Sequence, residues 1–409
     1  MRIAFVVPYV PNKIRTRSYN LIRHLTKAGH DVVVFTVGSS SIERAEAVSL
    51  QAECREVNFH RLPAWRSAVN CLLALPTPVP LQAVYSWDRH LALQLADALR
   101  SGESPFDVVH VEHLRGSRFG RFVMEQFPAI PVVWDSVDCI SYLFEQAGRN
   151  NSNFFGKTIT RFELGRTRLA EAELIRLFDH VLTTSEADRN ALLQLPSRDG
   201  EPSPVSILPG GVDLEYFHPN PDVQVEPDTL VFSGKMSYHA NIAMAAHLVE
   251  QIMPRVWQSR PHVHLFIVGK DPGRRIIEFA KNPFIHVTGT VEDIRPHLWQ
   301  ASVAVVPLIY GAGIQNKIIE AMACGAPVVT SSRALSALKA QAGRDLFVGD
   351  DPGSFAAQIL RLLDDPKLRI QVGSAGLNYV KAHHDWKRIA GLLVNIYGQA
   401  LLAHKNRQS

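Results

Sequence analysis

The chain has 409 residues and a net charge of +4, and 46% of its residues are hydrophobic while 20% are charged. This length exceeds one ordinary hydrophobic core and predicts two domains of roughly 200 residues each. The mild positive charge suits anionic small molecules or a membrane face. Because the sequence has no recognisable nucleic-acid module, nucleic acid is not an expected partner.

The N-terminal segment MRIAFVVPYVP is interpreted as a buried first strand. Its apolar run of about six residues is shorter than the core of a signal peptide, and no small-residue cleavage site follows it. The cysteines Cys54, Cys71, Cys139 and Cys324 have no CxxC spacing, which argues against a zinc site and a disulfide framework. We therefore expect a cytoplasmic protein, and peripheral contact with the inner membrane face is left open.

Short β-branched runs alternate with amphipathic stretches in the first half of the chain, a pattern typical of βα units that form a parallel sheet. The predicted strands are residues 2–7, 31–37, 107–111, 131–135 and 180–184. Each run is nearly continuous in apolar residues, as expected for a strand that is covered on both faces. These elements predict one doubly wound domain over residues 1–205.

A second βα series follows the segment VSILPGGVDLEYF, which is flanked by proline-rich stretches and is interpreted as an interdomain connection. Its predicted strands are residues 229–233, 262–268, 284–288, 302–307, 327–330 and 345–348. The second domain is therefore assigned to residues 206–386. The last helix, at about residues 387–409, has an apolar stripe that needs a partner, and we expect it to pack back on the N-terminal domain.

The most informative segment is PLIYGAGIQNKIIEAMACGAPVV, which runs from a predicted strand through a glycine-containing loop into a helix. Ligands of open α/β sheets bind at such a position. Gly311 and Gly313 allow the backbone to approach a ligand, and a helix that starts near Ile314 offers free N–H groups to a phosphate. Lys317 and Glu320 lie three residues apart on one face of this helix. The alternative is that these residues only shape the turns of an ordinary βαβ unit and bind no ligand.

Several segments together resemble glycosyltransferase family 4 and its relatives with the GT-B fold. EAMACGAPVV resembles the family's helix and strand, VFSGKMSYHAN its first C-terminal strand and phosphate loop, and VTGTVEDI its nucleotide-side loop. ILPGGVDLEYFHP, the segment from PYVPNKIRTRS onward and FDVVHVEH also resemble family segments. The resemblance implies an α/β fold of two Rossmann-like, doubly wound domains that face a cleft.

The resemblance also implies roles for individual residues. Lys235, which follows Gly234, faces the donor diphosphate, and Glu320 binds the ribose. The further residues implied in donor binding are Gly289, Thr290, Gly311, Gly313, Ile314, Gln315 and Asn316. Fixed cations and helix-start N–H groups stabilise a leaving diphosphate, so neither a metal nor a cofactor is expected beside the nucleotide-diphosphate sugar, which is a co-substrate.

Two of the departures from the family's pattern concern the donor side. The first of its two motif glutamates is Ala312 here, which leaves the transferred sugar open and allows a weak or inactive enzyme. The second basic residue is Asn241, so we expect Lys317 to supply the missing positive charge. The alternative for Lys317 is a solvated helix lysine.

On the N-terminal, acceptor side, Lys13, Arg15 and Arg17 precede a helix, where positive charge is mildly unfavourable. We expect them to bind an acceptor phosphate or the donor diphosphate, because arginine suits bidentate phosphate contacts. The alternative is a solvated helix start.

Two further acceptor-side positions follow predicted strands. Glu112 and His113 lie where the family places an acceptor-facing histidine, and either is expected to orient an acceptor hydroxyl. The alternative for His113 is a structural residue whose ring nitrogens are hydrogen-bonded within the protein. Asp135 follows the next strand and is expected either to line the cleft or to cap a helix.

The sequence therefore predicts a glycosyltransferase that moves a sugar from a nucleotide-diphosphate sugar to a saccharide, glycolipid or small-molecule acceptor in glycan biosynthesis. Retention of configuration rests on the family resemblance alone. Two alternatives are kept: a nucleotide-sugar epimerase on the same fold, and a nucleotide-sugar-binding protein without activity.

Overall fold

The computed structural model describes residues 1–12, 15–101, 105–150, 154–196, 200–310 and 313–408. The chain divides into two compact units, one formed by Met1–Pro209 with Trp386–Ser409 and the other by Gly210–Asp385. Each unit is built on one parallel sheet with helices packed against it. The predicted fold class, two Rossmann-like α/β domains, is confirmed.

The described residues of the first unit form a seven-stranded parallel sheet in the order β3-β2-β1-β4-β5-β6-β7. Its strands are β1 (Arg2–Val7), β2 (Asp31–Gly38), β3 (Glu56–Arg61), β4 (Val108–Glu112), β5 (Val132–Val137), β6 (His180–Thr183) and β7 (Val205–Ile207). The central strands are almost fully buried, as their continuous apolar runs predict.

The strands β3 and β7 were not predicted from the sequence. Both lie at the edges of the sheet. Strand β3 reads EVNFHR and is only partly buried, so its hydrophobic pattern is weak. Strand β7 has only 3 residues, too few for a periodic signal.

The helices of the first unit cover both faces of this sheet. They include α1 (Thr16–Lys27), α2 (Ser41–Leu50), α3 (Ala64–Ala74), α4 (Leu81–Tyr85), α5 (Arg89–Ser101), α6 (His113–Gln126), α7 (Ile140–Asn150), α8 (Phe154–Leu177) and α9 (Glu186–Leu193), and a 3-10 turn spans Gln51–Glu53.

The described residues of the second unit form a six-stranded parallel sheet in the order β10-β9-β8-β11-β12-β13. Its strands are β8 (Thr229–Ser233), β9 (His264–Val268), β10 (Ile285–Gly289), β11 (Val303–Val306), β12 (Val328–Thr330) and β13 (Phe347–Val348). Its helices are α10 (His239–His247), α11 (Met253–Ser259), α12 (Arg274–Phe279), α13 (Arg295–Gln300), α14 (Asn316–Ala323), α15 (Ser332–Leu335), α16 (Pro352–Asp364) and α17 (Pro366–His383), with a π-helical turn at Leu248–Ile252.

The last helix, α18 (Trp386–Gln408), belongs to the first unit. Its apolar stripe, which includes Trp386 and Leu393, shares a core with Phe5 of β1. Tyr397 adds a buried hydrogen bond of 2.9 Å between its hydroxyl and Nδ1 of His110. No helix among the described residues is both long and apolar enough to cross a bilayer.

The strand order of each sheet reverses at one point. In the first sheet the reversal lies between β1 and β4, and in the second it lies between β8 and β11. The crevice at the carboxyl ends of such neighbouring strands is where open α/β sheets bind ligands. The fold therefore offers one candidate binding position in each unit.

Close backbone packing holds the helix α14 in the second unit. Gly325 ends this helix in the left-handed region at φ +81°. A Cβ atom at Gly373 of α17 would lie 2.2 Å from the Gly325 carbonyl oxygen. The absence of a side chain at Gly373 therefore sets how closely α17 approaches the end of α14.

We expect the substitution Gly373→Ala to lower the free energy of unfolding by roughly 1–3 kcal/mol, because the backbone contact must shift. The matched control is Gly391→Ala in α18, where an added Cβ meets nothing within 4 Å. That change should stabilise by about 0.5–1 kcal/mol, since alanine favours a helix. Chemical denaturation of both variants checks the prediction. A change in unfolding free energy of the same sign in the two variants would contradict it.

Candidate functional site

In the second unit, a glycine-lined turn follows β8 and carries Lys235. Gly234 has φ +148°, and Gly269, after β9, has φ +145°. A Cβ at Gly269 would lie 1.8 Å from the Gly234 carbonyl oxygen. The two turns therefore pack backbone against backbone, and the side chain of Lys235 is left exposed.

Lys317 of α14 is held beside this turn. Its Nζ donates to Oδ1 of Asn241 at 2.5 Å, and Nδ2 of Asn241 donates to the Lys235 carbonyl at 2.9 Å. The ammonium also lies 5.2 Å from the centre of the Phe232 ring. Asn241, which replaces a basic residue of the family's pattern, thus links the two lysines through one side-chain amide.

Burial shifts the protonation of the Lys317 and Glu320 side chains in opposite directions. It lowers the pKa of Lys317 to about 8 and raises the pKa of Glu320 to about 7, and the mutual attraction of the two groups only partly offsets this effect. Lys317 has no ion pair within 4 Å among the described residues. A half-buried cation without a carboxylate partner is a favourable position for an anionic ligand.

The helix α14 begins at Asn316, two residues after the predicted start near Ile314, and Lys317 lies in its first turn as expected. The physical reason for the later start is that Gly313 takes a left-handed φ of +76° and Gln315, the N-cap residue, has extended backbone. The Gln315 side chain makes no capping hydrogen bond, so N–H groups of the first turn remain for a ligand. Gly311 and Ala312 lie outside the described residues.

The predicted donor residues Gly289 and Thr290 lie further away in the sheet. Gly289 ends β10 with φ +71°, and Thr290 is exposed. Strand β10 is the edge strand, and β9 separates it from β8. The structure therefore groups Lys235 and Lys317 directly, whereas these two residues belong to a more distant turn.

Sequence reasoning missed an aromatic pair in the second unit. Nδ1 of His239 and the Tyr310 hydroxyl are 3.0 Å apart, and the two rings are stacked with an interplanar angle of 6°. His239 starts α10 and Tyr310 follows β11. Since these strands are neighbours, the position of each aromatic just after the end of β8 or β11 was the available signal.

In the first unit, Arg17 is bound to a buried carboxylate. Its Nε and Nη2 donate to the two oxygens of Asp135 at 3.0 and 3.2 Å, and Nη1 donates to the Pro209 carbonyl at 3.3 Å. Asp135 is fully buried. The guanidinium expected to meet a ligand anion is thus engaged by an internal one, and Asp135 holds Arg17 rather than capping a helix.

Glu112 lies at the end of β4 in the same buried cluster. The Tyr9 hydroxyl donates to Oε1 of Glu112 at 2.5 Å, while Oε2 is buried and has no hydrogen-bond partner among the described residues. Burial, reinforced by nearby Asp135, raises the pKa of Glu112 to about 7. Tyr9, which the sequence analysis did not single out, follows β1 at the reversal of strand order.

His113 adjoins Glu112 and has strained backbone. Its φ is +66°, and Val137, at the end of β5, has φ +68°, a region that costs about 1–3 kcal/mol for such residues. Nδ1 of His113 is buried without a hydrogen-bond partner among the described residues, and burial lowers its pKa to about 4. The neutral imidazole therefore has an unused polar atom beside Glu112.

Of the other two predicted cations, only Arg15 lies among the described residues. Arg15 is exposed, forms an ion pair of 3.3 Å with Glu43 and stacks over the Tyr9 ring at 5.0 Å. Lys13 lies outside the described residues. Arg15 and Arg17, the two of these cations that the structure describes, therefore pair with different carboxylates, Glu43 and Asp135.

Family models match both halves of the chain. Residues 14–211 match a glycosyl transferase 4-like domain, and residues 227–365 match glycosyl transferases group 1. The chain belongs to the glycosyltransferase 4-like family. This membership covers both units in which the two candidate clusters lie.

The names of curated relatives agree with this family assignment. A D-inositol 3-phosphate glycosyltransferase from Frankia alni is 24% identical over 93% of each chain. The chain spans only 59% and 57% of the length of two further curated relatives that it matches.

Solved structures of other proteins share the fold, among them the following two. Sucrose-phosphate synthase from Thermosynechococcus elongatus has a TM-score of 0.67 at 18% identity, and 98% of this chain covers 100% of that one. Anabaena HepE in complex with UDP-glucose has a TM-score of 0.64 at 15% identity, with the same coverage. At these identities the likeness concerns the fold.

The ion pair of Arg17 gives a stability prediction for this family member. We expect Arg17→Ala to cost about 3–5 kcal/mol of unfolding free energy, because it leaves Asp135 charged, buried and unpaired. The double variant with Asp135→Asn should recover part of that loss. The control Arg15→Ala removes an exposed pair and should cost less than about 1 kcal/mol. Denaturant titration measures all three, and similar losses for both single variants would contradict the assignment.

Proposed function

We propose that the chain is a metal-independent, retaining glycosyltransferase that uses a nucleotide-diphosphate sugar as donor. The observation that carries the proposal is Lys317, a half-buried cation with no carboxylate partner within 4 Å among the described residues. Asn241 ties it to the turn of Lys235, and it lies in the uncapped first turn of α14. All three features follow the carboxyl ends of neighbouring strands, where this fold binds nucleotides.

These groups match the charge that develops during transfer. As the bond between the sugar C1 and the diphosphate oxygen breaks, negative charge grows on the leaving diphosphate. Lys235, Lys317 and the N–H groups of α14 would stabilise that charge more than the intact donor, which is the condition for catalysis. The fixed cations supply the compensation that a divalent ion supplies elsewhere.

Glu320 is assigned a positioning role towards the donor. It lies three residues after Lys317 on the same helix, and its carboxylate suits hydrogen bonds from ribose hydroxyls. We assign the UDP sugars as the first donors to test, because the fold neighbour HepE was solved with UDP-glucose.

The acceptor is assigned to the Tyr9, Glu112 and His113 cluster of the first unit. Its unused polar atoms, Oε2 of Glu112 and Nδ1 of His113, suit the hydroxyls of a polyol or saccharide. The relative named for D-inositol 3-phosphate supports a polyol-type acceptor. The acceptor hydroxyl would attack C1 on the face of the leaving group, and its proton would pass to the departing phosphate oxygen, so configuration is retained.

Ala312 favours a second candidate, a protein that binds nucleotide sugars without transferring them. This residue replaces a glutamate that contacts the transferred sugar in the resembling family. The two candidates differ only in turnover, so one experiment separates them.

The test incubates the protein with UDP-glucose or GDP-mannose and with inositol, inositol phosphate or a saccharide, with and without EDTA. We expect a glycosylated product whose anomeric configuration, measured by NMR, equals that of the donor, at a rate that EDTA does not change. Donor binding without product would support the non-catalytic candidate. An inverted product, or activity that requires added Mg²⁺, would overturn retention or metal independence.

The pKa of Lys317 predicts how UDP binding depends on pH. Since burial lowers this pKa to about 8, the ammonium is present below that pH and is lost above it, so affinity should fall between about pH 7.5 and pH 9. Lys317→Met should weaken binding by roughly 1.5–3 kcal/mol and remove this dependence. Calorimetry measures both effects.

The matched control is Lys281→Met, which removes an exposed lysine of the same unit. It should keep the affinity and the pH dependence of the unmodified protein. A pH dependence that persists unchanged in Lys317→Met would remove this lysine from the donor site.

A further inference from the structure

The outward face of α3 is apolar. Trp65, Val69, Leu72 and Leu73 are exposed by 64%, 41%, 63% and 71%. These positions recur at helical spacing and therefore lie on one side of the helix. The solvent-facing side of a helix normally carries charged residues. An apolar face of this kind is therefore expected to contact another apolar surface.

The same surface continues beyond the helix and contains no acidic residue of the local chain. No aspartate or glutamate occurs between Glu56 and Asp88. Leu75 and Val79 extend the exposed apolar residues into the following loop. A surface stretch that has these exposed apolar residues and no acidic residue is uncommon where a protein faces only water.

A cavity of about 940 Å³ opens beneath this face. It lies between α3, the loop of residues 77–80, α4, α6 and α8. Its walls are mainly apolar and include Leu73, Val79, Trp87 and Leu169. Apolar side chains that are exposed at its mouth therefore continue into a mainly apolar interior, whose lining also contains the ion pair of Arg121 and Glu173.

Two arginines of α6 border this region. Arg118 lines the cavity and stacks over Trp87 at 4.6 Å, and Arg115 stacks over Tyr85 at 5.2 Å. Both are exposed, and neither has an ion pair within 4 Å among the described residues. The aromatic stacking holds two guanidinium groups at the edge of the apolar face, where their charge is available to an anion.

We propose that this surface, formed by the α3 face and the two α6 arginines, docks on an anionic lipid bilayer. Leucines and a tryptophan on one side with arginines at the margin are the pattern of a helix that lies in the membrane interface. A lipid phosphate satisfies Arg115 and Arg118, and acyl chains cover α3 and enter the cavity. An apolar protein partner would leave both guanidinium groups without an anion.

The surface adjoins the proposed acceptor cluster of the same unit. Helix α6 begins at His113, and Arg115 follows two residues later. The positive charge of Arg115 contributes to lowering the pKa of His113. Docking would therefore place the start of α6 near the lipid headgroups. The membrane contact itself does not depend on the proposed transfer reaction.

The test is co-sedimentation with vesicles of phosphatidylglycerol and phosphatidylcholine, compared with vesicles of phosphatidylcholine alone. We expect binding to the mixed vesicles that weakens at high salt, since surface charge attraction is screened. The variant Leu72→Glu/Leu73→Glu should bind at least about tenfold more weakly, because it places charge in the apolar interface. Arg115→Gln/Arg118→Gln should lose the preference for anionic lipid.

The matched control is Ile370→Glu, because Ile370 of α17 has the same exposed fraction as Leu73, 71%. It should bind vesicles as the unmodified protein does, and thermal unfolding should show that all variants are folded. Unchanged vesicle binding by Leu72→Glu/Leu73→Glu, or no binding by the unmodified protein, would overturn the proposal. A dimer that dissociates in this variant, measured by light scattering without vesicle binding, would overturn it in favour of self-association.

Discussion

The cost of burying a charge at the end of a strand governs both candidate sites. Such a charge must find a partner of opposite sign or shift its protonation. In the first unit the partner is internal, since Arg17 meets the fully buried Asp135 through two hydrogen bonds. In the second unit Lys317 donates to the neutral amide of Asn241, and burial lowers its pKa to about 8, which the attraction of Glu320 only partly offsets. The same constraint thus gives a closed pair in one unit and an open cation in the other.

The sequence predicted the features that a local residue pattern encodes, and it did not predict those that depend on residues far apart in the chain. The continuous apolar runs of β1 and β8 gave both sheets, because covered strands need apolar residues on both faces. Lys317 was identified as a candidate site residue because it lies in a segment that runs from a strand through a glycine-containing loop into a helix. The pairing of Arg17 with Asp135 joins residues 118 positions apart, and no local pattern encodes it. The start of α14 depended on the backbone conformation of Gly313, which composition does not determine.

Backbone conformation, rather than side-chain choice, brings the polar groups together. Gly234 and Gly269 reach dihedral angles that other residues rarely adopt, and this lets the turn of Lys235 lie against its neighbour. In the first unit His113 and Val137 have positive φ angles at the ends of β4 and β5, a conformation that is unfavourable for residues with a side chain. Strain of this kind persists where the surrounding structure holds it, and it concentrates at functional sites.

The two clusters differ in charge, and this difference bears on the acceptor. Near neutral pH the imidazoles of His110 and His113 are uncharged, because burial lowers the pKa of each to about 4. Glu112 is part protonated at a pKa of about 7, and Arg17 and Asp135 cancel. The first unit therefore presents nearly neutral hydrogen-bonding atoms at its strand reversal, while the second presents positive charge. Under the proposed function, these charges suit a neutral hydroxyl as the acceptor and an anionic diphosphate as the leaving group, so an acceptor phosphate would bind outside the Tyr9 and Glu112 cluster.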